Sequence, residues 1–586
     1  MKPLISFFFL FAFANLAYTQ TIPTTRVYDW KHAGLAETLP AYTQTINLQV
    51  LGADNTGIVP SDAVYLTAIN QCTVIGQSYN IYFPAGVYTF SNTISLKTNV
   101  ELTGDNSNTH LVFKTPNTCI NLSGYQTSIP SYSLTQNANR YQNYLLTAPY
   151  SGSVTLTTGD FLVLKQRAAS LVTSNWAYNS VGQFFKINGV SADTLNVNHE
   201  MRKDYLITDT ISIYKTTPIQ NAGIKCLKIT RSNSAVNQVP TVQFLYAYNC
   251  FLEGVEMDSC FFSHVTLEQS GNCQISGSYF HDAYDYGGGG RGYGLVMQYN
   301  STDHKIENNI FDHLRHSILC QAGANGNVID YNYSINPYWT GVSLPASSAG
   351  DLVLHGNYVY ANLFEGNVCQ NIVIDDSHGQ NGPHNTFFRN RAKLYGIFMN
   401  TAPASNNQNF VGNEITSTAL FTGLYSLAGT GHFQYANKKQ GTLTPAGTGT
   451  LTDVSYCYNS APGFLIGYNW PTIGLPNVYN TGSIPAENRN ATSNKTLCDA
   501  LTTSIQSLNT SSSFLIFPNP TNDILYIKST IDAISTIEIT DILGKSVFHS
   551  SYSETVYLPH LSSGIYVLSL KKNNVVIHKQ KISIYN

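Results

Sequence analysis

Histidine is concentrated in one stretch of the chain. Residues 281–384 are 104 of 586, yet they hold 7 of the 15 histidines: 281, 304, 313, 316, 355, 378 and 384. Arg291, Arg315, Arg389, Arg391 and Lys393 fall in or just after the same span. This inventory suits proton transfer beside an anionic group, and β-elimination from a sugar acid is one chemistry of that kind. Cleaving a uronate by β-elimination requires a cation to neutralise the carboxylate, so that C5–H becomes acidic. It also requires a base to take that proton and an acid to protonate the leaving O4. Arg and Lys bind carboxylates directly, and His, Lys, Arg or Tyr can move the protons. The catalytic group expected from this inventory is His281, Tyr284, Arg315, His316, Arg389 and Lys393. Within it, Arg315 or Arg389 would hold the carboxylate and His316 or His281 would be the base, with Tyr284 or Tyr293 as acid. Arg291, Tyr293, His355, Asp375, Asp376, His378 and His384 are expected to bind substrate. His304 shares its register with Cys250 and Cys273 and is expected to be structural.

Other chemistries use parts of the same inventory. A glycoside hydrolase needs paired carboxylates, and Asp375 and Asp376 are adjacent, with Asp282, Asp285 and Asp312 as further candidates. A uronan C5-epimerase shares the lyase's first step. A non-catalytic adhesin would carry polar ladders throughout, without one His/Arg/Asp-rich stretch. The sequence demands no cofactor; Ca²⁺ could be held through Asp375 or Asp376, although no loop signature requires it. The run Gly287–Gly290 opens no helix, which argues against a phosphate cradle.

These residues need a scaffold that returns to the same place many times. The segments Gly254-Val255, Gly277-Ser278, Asn308-Asn309, Tyr331-Asn332, Gly366-Asn367, Arg389-Asn390 and Gly412-Asn413 align. Their second members step by 23, 31, 23, 35, 23 and 23 residues. A coil of 23 residues with insertions of 8 and 12 explains all six steps. The last five rungs carry Asn at 309, 332, 367, 390 and 413, which predicts a ladder of stacked amides. Solenoids collect insertions on one face, often the binding face, so the two long steps mark the expected cleft. Parallel coils bring equal offsets within about 4.8 Å per rung. That places His281, Asp312 and Lys393 on one stripe, with Tyr284, Arg315 and His316 beside it. Residues 126–222 fit the period poorly and read as an inserted β-subdomain.

Composition agrees with an all-β chain. Charged residues are 11%, aromatics 12%, and the net charge is −3. This is neither a disordered nor a coiled-coil composition, and nothing in it points to nucleic acid. Residues 1–19 have the positive, apolar and small-residue regions of a signal peptide, and no later stretch is long and apolar enough to span a membrane. Ten cysteines form no CxxC pair, so neither a zinc knuckle nor a disulfide scaffold is expected. Cys250 and Cys273 read as buried small hydrophobes. Residues 20–468 form the coil unit, 469–513 read as linker, and 514–586 as a small β-sandwich of short alternating strands.

Two resemblances add to this. Gly52, Ala53, Asp54, Asp62, Ala68, Phe83, Pro84, Ala85, Gly86 and Tyr88 are arranged as in the first coils of the pectate-lyase-like superfamily. That resemblance implies a right-handed parallel β-helix acting on a polysaccharide. The tail FPNPTNDILYI…ITDILGKSV…LSSGIYVLSL resembles the C-terminal sorting domain of the type IX secretion system of Bacteroidota. It implies the secretion machinery as partner, and a product that is secreted or held at the cell surface.

Overall fold

In the computed structural model, the described residues are 20–499 apart from 153, 168–169, 234–237, 342–348 and 400–403. Within 514–584, all but 519–520, 530–533, 542–543, 559–560 and 573–574 are described. The expected signal peptide, 1–19, and the end of the expected linker, 500–513, lie outside them. The chain divides into two units, Met1–Ala500 and Leu501–Asn586.

The first unit is a parallel β-helix built on one 31-stranded sheet. Each full coil contributes three strands. The first column runs through Phe251–Glu253, Gln274–Ser276, Lys305–Glu307, Val328–Asp330, Leu363–Glu365, Thr386–Phe388 and Asn409–Val411. The second includes Glu256–Cys260, Tyr279–Ala283, Ile310–Asp312 and Tyr333–Ile335. The third includes Ser263–Glu268, Tyr293–Gln298, His316–Cys320 and Leu352–Leu354. The long strands Val368–Ile374 and Arg391–Met399 serve the second and third columns together.

The turn between the first two columns is left-handed at every rung: φ is +61° at Gly254, +67° at Gly366 and +55° at Arg389. Asn follows that turn and builds the ladder. The Oδ1 of Asn332, Asn367, Asn390 and Asn413 each accepts both the backbone N–H and the amide N–H of the Asn one rung earlier. Asn437 extends it by a rung, and a second ladder joins Asn327, Asn362 and Asn385. Inside, Phe364, Phe387 and Phe410 stack at 4.9 and 5.2 Å between ring centroids. Cys250 and Cys273 are free and buried in this core.

Strands Tyr125–Gln126 through Thr210–Thr217 make a seven-stranded antiparallel sheet with its own core of Leu145, Leu164, Phe185, Leu195 and Ile213. It docks on the turns that follow the third column. Asn300 donates to the Ser180 carbonyl at 2.7 Å, Asn325 to Gly182 at 2.9 Å, and Asn357 accepts from Thr173 at 3.3 Å.

The linker expected from 469 needs correction, because residues 469–499 belong to the first unit. Leu465, Ile473, Ile484 and Ala486 are buried with Ile310, Tyr331, Tyr333 and Val368. Cys498 is disulfide-bonded to Cys226, 272 residues away. The Pro, Asn, Ser and Thr content hid these few apolar anchors. A neighbouring stretch, 453–458, covers the outer face of the first column. The Tyr458 hydroxyl lies 2.6 Å from Glu307 and 2.8 Å from Asp330, and the Tyr456 N–H donates to Glu365 at 2.9 Å.

Burial pushes the Glu365 carboxyl up to about 7. Unfolded, it titrates near 4.5, so the unfolded chain loses this proton first as pH rises. The contribution of Glu365 to stability is therefore full below pH 4.5 and falls away as pH climbs through about 7. Thermal unfolding of Glu365→Gln across this window should lack that part of the slope. A pH dependence identical to wild type would show that Glu365 is ionised throughout.

The second unit holds a three-stranded and a four-stranded antiparallel sheet. Leu525, Ile527, Ile537, Ile539, Leu568, Leu570 and Ile582 form its core.

Candidate active site

The expected residues fall on two faces of the β-helix. On the second column, Asp258, His281 and Asp312 stand in register, one rung apart. His281 lies between Glu256, 3.2 Å from Nε2, and Asp282, 2.9 Å from Nδ1. Asp282 also reaches His313 at 2.9 Å. Burial opposes the charge of Glu256, but His281 and Lys228 outweigh it and pull its pKa to about 2. Lys393 pairs with Glu487 at 2.8 Å and lines a groove of about 600 Å³ with His313, Tyr338 and Gln370. Every charge on this stripe from His281 to Lys393 has a partner of opposite sign or a hydrogen bond.

Asp258, His281 and Asp282 offer ligand atoms within 4.8 Å of one another, the one such group of three His, Cys, Asp or Glu side chains among the described residues. Of the two carboxylates named above for Ca²⁺, Asp375 or Asp376, the first pairs with His355. Asp376 is buried, and its oxygens accept from the backbone and hydroxyl of Ser405 and from Asn381.

The outer face of the third column is different. Core residues Met297, Cys320, Leu354 and Ile374 pair rung to rung. The residues that follow them, Gln298, Gln321, His355 and Asp375, therefore face outward in one row. The His355 ring sits with Nδ1 2.7 Å from an Asp375 carboxylate oxygen. Burial opposes the charge of Asp375, but His355 and the Ser377 N–H, donating at 2.9 Å, hold its carboxyl well below the usual range. A ring with its hydrogen on Nδ1, toward the carboxylate, keeps the Nε2 lone pair free. His378 stands edge-on to this ring at 4.6 Å, and His316 lies 6.0 Å from it.

His316 and Tyr293 pair at the start of adjacent strands, with rings 4.9 Å apart. The His316 Nδ1 is 2.7 Å from the Gly350 carbonyl and donates to it. Burial, with the charges of Arg315 and His355, pushes the His316 pKa well below its usual value, so the ring is neutral. Burial likewise raises the Tyr293 phenol, against the pull of Arg315.

Arg315 completes the group. Its guanidinium lies over Tyr293 at 5.5 Å and Trp339 at 5.1 Å. It donates to the Gly287 carbonyl at 2.7 Å and to the Tyr293 oxygen at 3.4 Å. Among the described residues, no carboxylate pairs with it. Both insertions thus serve this group: Gly287 comes from the first, Trp339 and Gly350 from the second.

Tyr293, Arg315, His316, His355, Asp375 and His378 are therefore one cluster. The remaining expected residues lie elsewhere. Arg389 is buried and donates to the carbonyls of Asp453, Ile473 and Leu475, so it is a structural clamp. His384 is 3.0 Å from the Tyr28 hydroxyl, on the flank beside the N-terminal segment. Tyr284 does not stack on Arg315. The Gly-rich loop resets the register so that Gly292 meets Arg315, and the Tyr284 hydroxyl donates to the Arg231 carbonyl at 2.7 Å. Arg291 pairs with Asp285 at 2.5 Å. Trp339 was missed, although an aromatic inside the second insertion was a usable signal.

Three family models match parts of the chain: rhamnogalacturonase A/epimerase, pectate lyase-like, over residues 45–149; right-handed beta helix region over 219–375; and secretion system C-terminal sorting domain over 515–585. No curated protein matches the sequence. Among solved structures, the tailspike of Pseudomonas phage LKA1 is 14% identical, with 64% of each chain covered and a TM-score of 0.43. The chain thus spans 64% of that tailspike's length. A Thermotoga maritima exopolygalacturonase is 12% identical over 68% of this chain and 93% of its own, at 0.34. The A-module of an Azotobacter vinelandii mannuronan C-5 epimerase is 13% identical over 67% and 99%, at 0.30. The first unit is a parallel β-helix, parts of which match the pectate-lyase-like and right-handed beta helix models, and the tail matches a sorting domain that indicates export by type IX secretion to the cell surface or medium. No helix among the described residues is long and apolar enough to cross a membrane.

Proposed function

We propose that this protein is a glycan-acting enzyme that cleaves a uronate-containing polysaccharide by β-elimination on the outer face of the third column. One observation carries the reading: Arg315 is an almost buried cation with no carboxylate partner among the described residues, set against Tyr293, His316 and the His355–Asp375 pair. A buried charge is costly until an anion pairs with it, and a uronate carboxylate is the anion this chemistry needs. In this reading Arg315 neutralises the carboxylate and His355 Nε2 takes the C5 proton. Asp375 orients the ring and stabilises the imidazolium that forms. Tyr293, kept protonated by burial, gives its proton to O4 as the C4–O4 bond breaks and C4=C5 forms. The base thus moves from His316, whose neutral ring has no carboxylate beside it, to His355. A family model named for rhamnogalacturonase and epimerase over residues 45–149 supports a glycan substrate.

The engagement of Asp376 by Ser405 and Asn381 disfavours a hydrolase built on the Asp375–Asp376 pair. The test is incubation with alginate, pectate, glycosaminoglycans and neutral glucans, following both ultraviolet absorbance of unsaturated uronates and reducing ends. A lyase yields the two together. Reducing ends without absorbance would overturn elimination in favour of hydrolysis. Inversion at C5 without chain cleavage would identify an epimerase. No product from any glycan would leave adhesion as the reading.

A further inference from the structure

The inserted sheet rises beside the row that ends in His355 and Asp375, and the side that meets Gln269 is basic. Strand Phe161–Arg167 brings Lys165 and Arg167 to a cavity of about 240 Å³, shared with Asn179 and Tyr214. Lys165 donates to two uncharged acceptors, Gln126 at 2.8 Å and Gln269. It lies over the Tyr214 ring at 5.2 Å. Neither Lys165 nor Arg167 has a carboxylate partner among the described residues. The neighbouring Glu268 is taken up by Gln243, at 3.2 Å, and Gln298. Burial without an anion pushes the Lys165 ammonium down to about 8. An anion entering this cavity would pair with that ammonium and raise its pKa again.

The same sheet carries an exposed aromatic. Trp176 is 47% exposed and stands edge-on to Tyr299 at 5.8 Å. Tyr299 follows Gln298, two rungs before His355 in the outward row, a separation of about 10 Å along the axis. Gln269 follows Glu268, three rungs before His355, about 14 Å away. Aromatic face and cations thus lie in sequence along one line leading to the candidate base.

We propose that the inserted sheet carries a subsite for a polyuronate chain, in which Lys165 and Arg167 take a sugar carboxylate and Trp176 takes the face of the sugar next toward His355. The proposal rests on the cleft reading above and makes the insertion a determinant of substrate charge and register. Its chemistry is that of a charge-assisted pair beside a stacking surface.

The test is affinity electrophoresis of the His355→Ala protein, which holds substrate without turnover. Gels would contain polygalacturonate, alginate or the neutral glucan dextran. The polyuronates should retard it and dextran should not. Adding Lys165→Gln with Arg167→Gln should weaken retardation about tenfold, and Trp176→Ala should do so by a similar factor. Lys165→Arg, which keeps the charge, should retain it, separating loss of the subsite from loss of the folded sheet. Retardation by a polyuronate that is unchanged in the double variant overturns the subsite, as does the absence of any retardation. Retardation that depends on Lys165 and Arg167, in a wild-type protein giving no cleavage product, supports the subsite and overturns only the proposed reaction.

Discussion

His355→Ala is expected to lower kcat/KM on a polyuronate by roughly 10²–10⁴-fold, the range carried by a positioned general base. The ring is the one histidine of the cluster with a carboxylate behind it, 2.7 Å from Nδ1. That arrangement compensates the positive charge that forms when Nε2 takes a proton. Asp375→Asn should cost a large part of the same factor while leaving substrate affinity nearly unchanged, because it removes orientation and not contact. Arg315→Ala should behave differently and lose binding as well as turnover, since its guanidinium would meet the substrate carboxylate before the reaction begins. Rates measured alongside thermal unfolding separate these effects from damage to the fold. If His355→Ala keeps a tenth of the activity, proton abstraction belongs to another group, and His316 is next in line.

The largest effect on stability is expected at the middle of the Asn ladder. Asn367 Oδ1 accepts from the backbone and amide of Asn332, and its own amide donates to Ile329 at 2.8 Å and Asn390 at 2.9 Å. Every one of these groups is buried. Asn367→Ala leaves two donors and an acceptor without partners, each costing about 1–3 kcal/mol. A loss of about 3–5 kcal/mol in denaturant unfolding is expected, large for one substitution. A loss under about 1 kcal/mol would mean that neighbouring amides or water close the gap.

Period and ladder were readable because a parallel coil repeats its physics at every turn. A left-handed turn admits Gly or Asn cheaply, and an inward amide must find another amide above and below. Five Asn at spacings of 23 and 35 residues therefore state the register almost directly. The second ladder, Asn327–Asn362–Asn385, follows the same rule and was there to be counted. The site was less legible. Equal offsets gave the His281–Asp312 stripe correctly. They misplaced Tyr284, because the Gly-rich insertion enters between it and the next strand and Tyr293 takes up the pairing with His316. Arg389 looked catalytic for its position in a His-rich span. It lies in the left-handed turn under residues 453–475, whose carbonyls needed a buried donor. The strap itself was invisible, since a handful of apolar anchors in a polar stretch carry no periodicity.

The Cys226–Cys498 bond spans 272 residues. A chain made N-terminus first presents Cys226 a full 272 residues before its partner. The other eight cysteines are buried, so the coils must already have packed for Cys226 to be left waiting for Cys498 alone. The covalent seal can form only after the whole stretch from 226 to 498 has been made. A molecule cut short anywhere in that interval keeps a free thiol at Cys226, a chemical mark by which an incomplete product differs from a finished one.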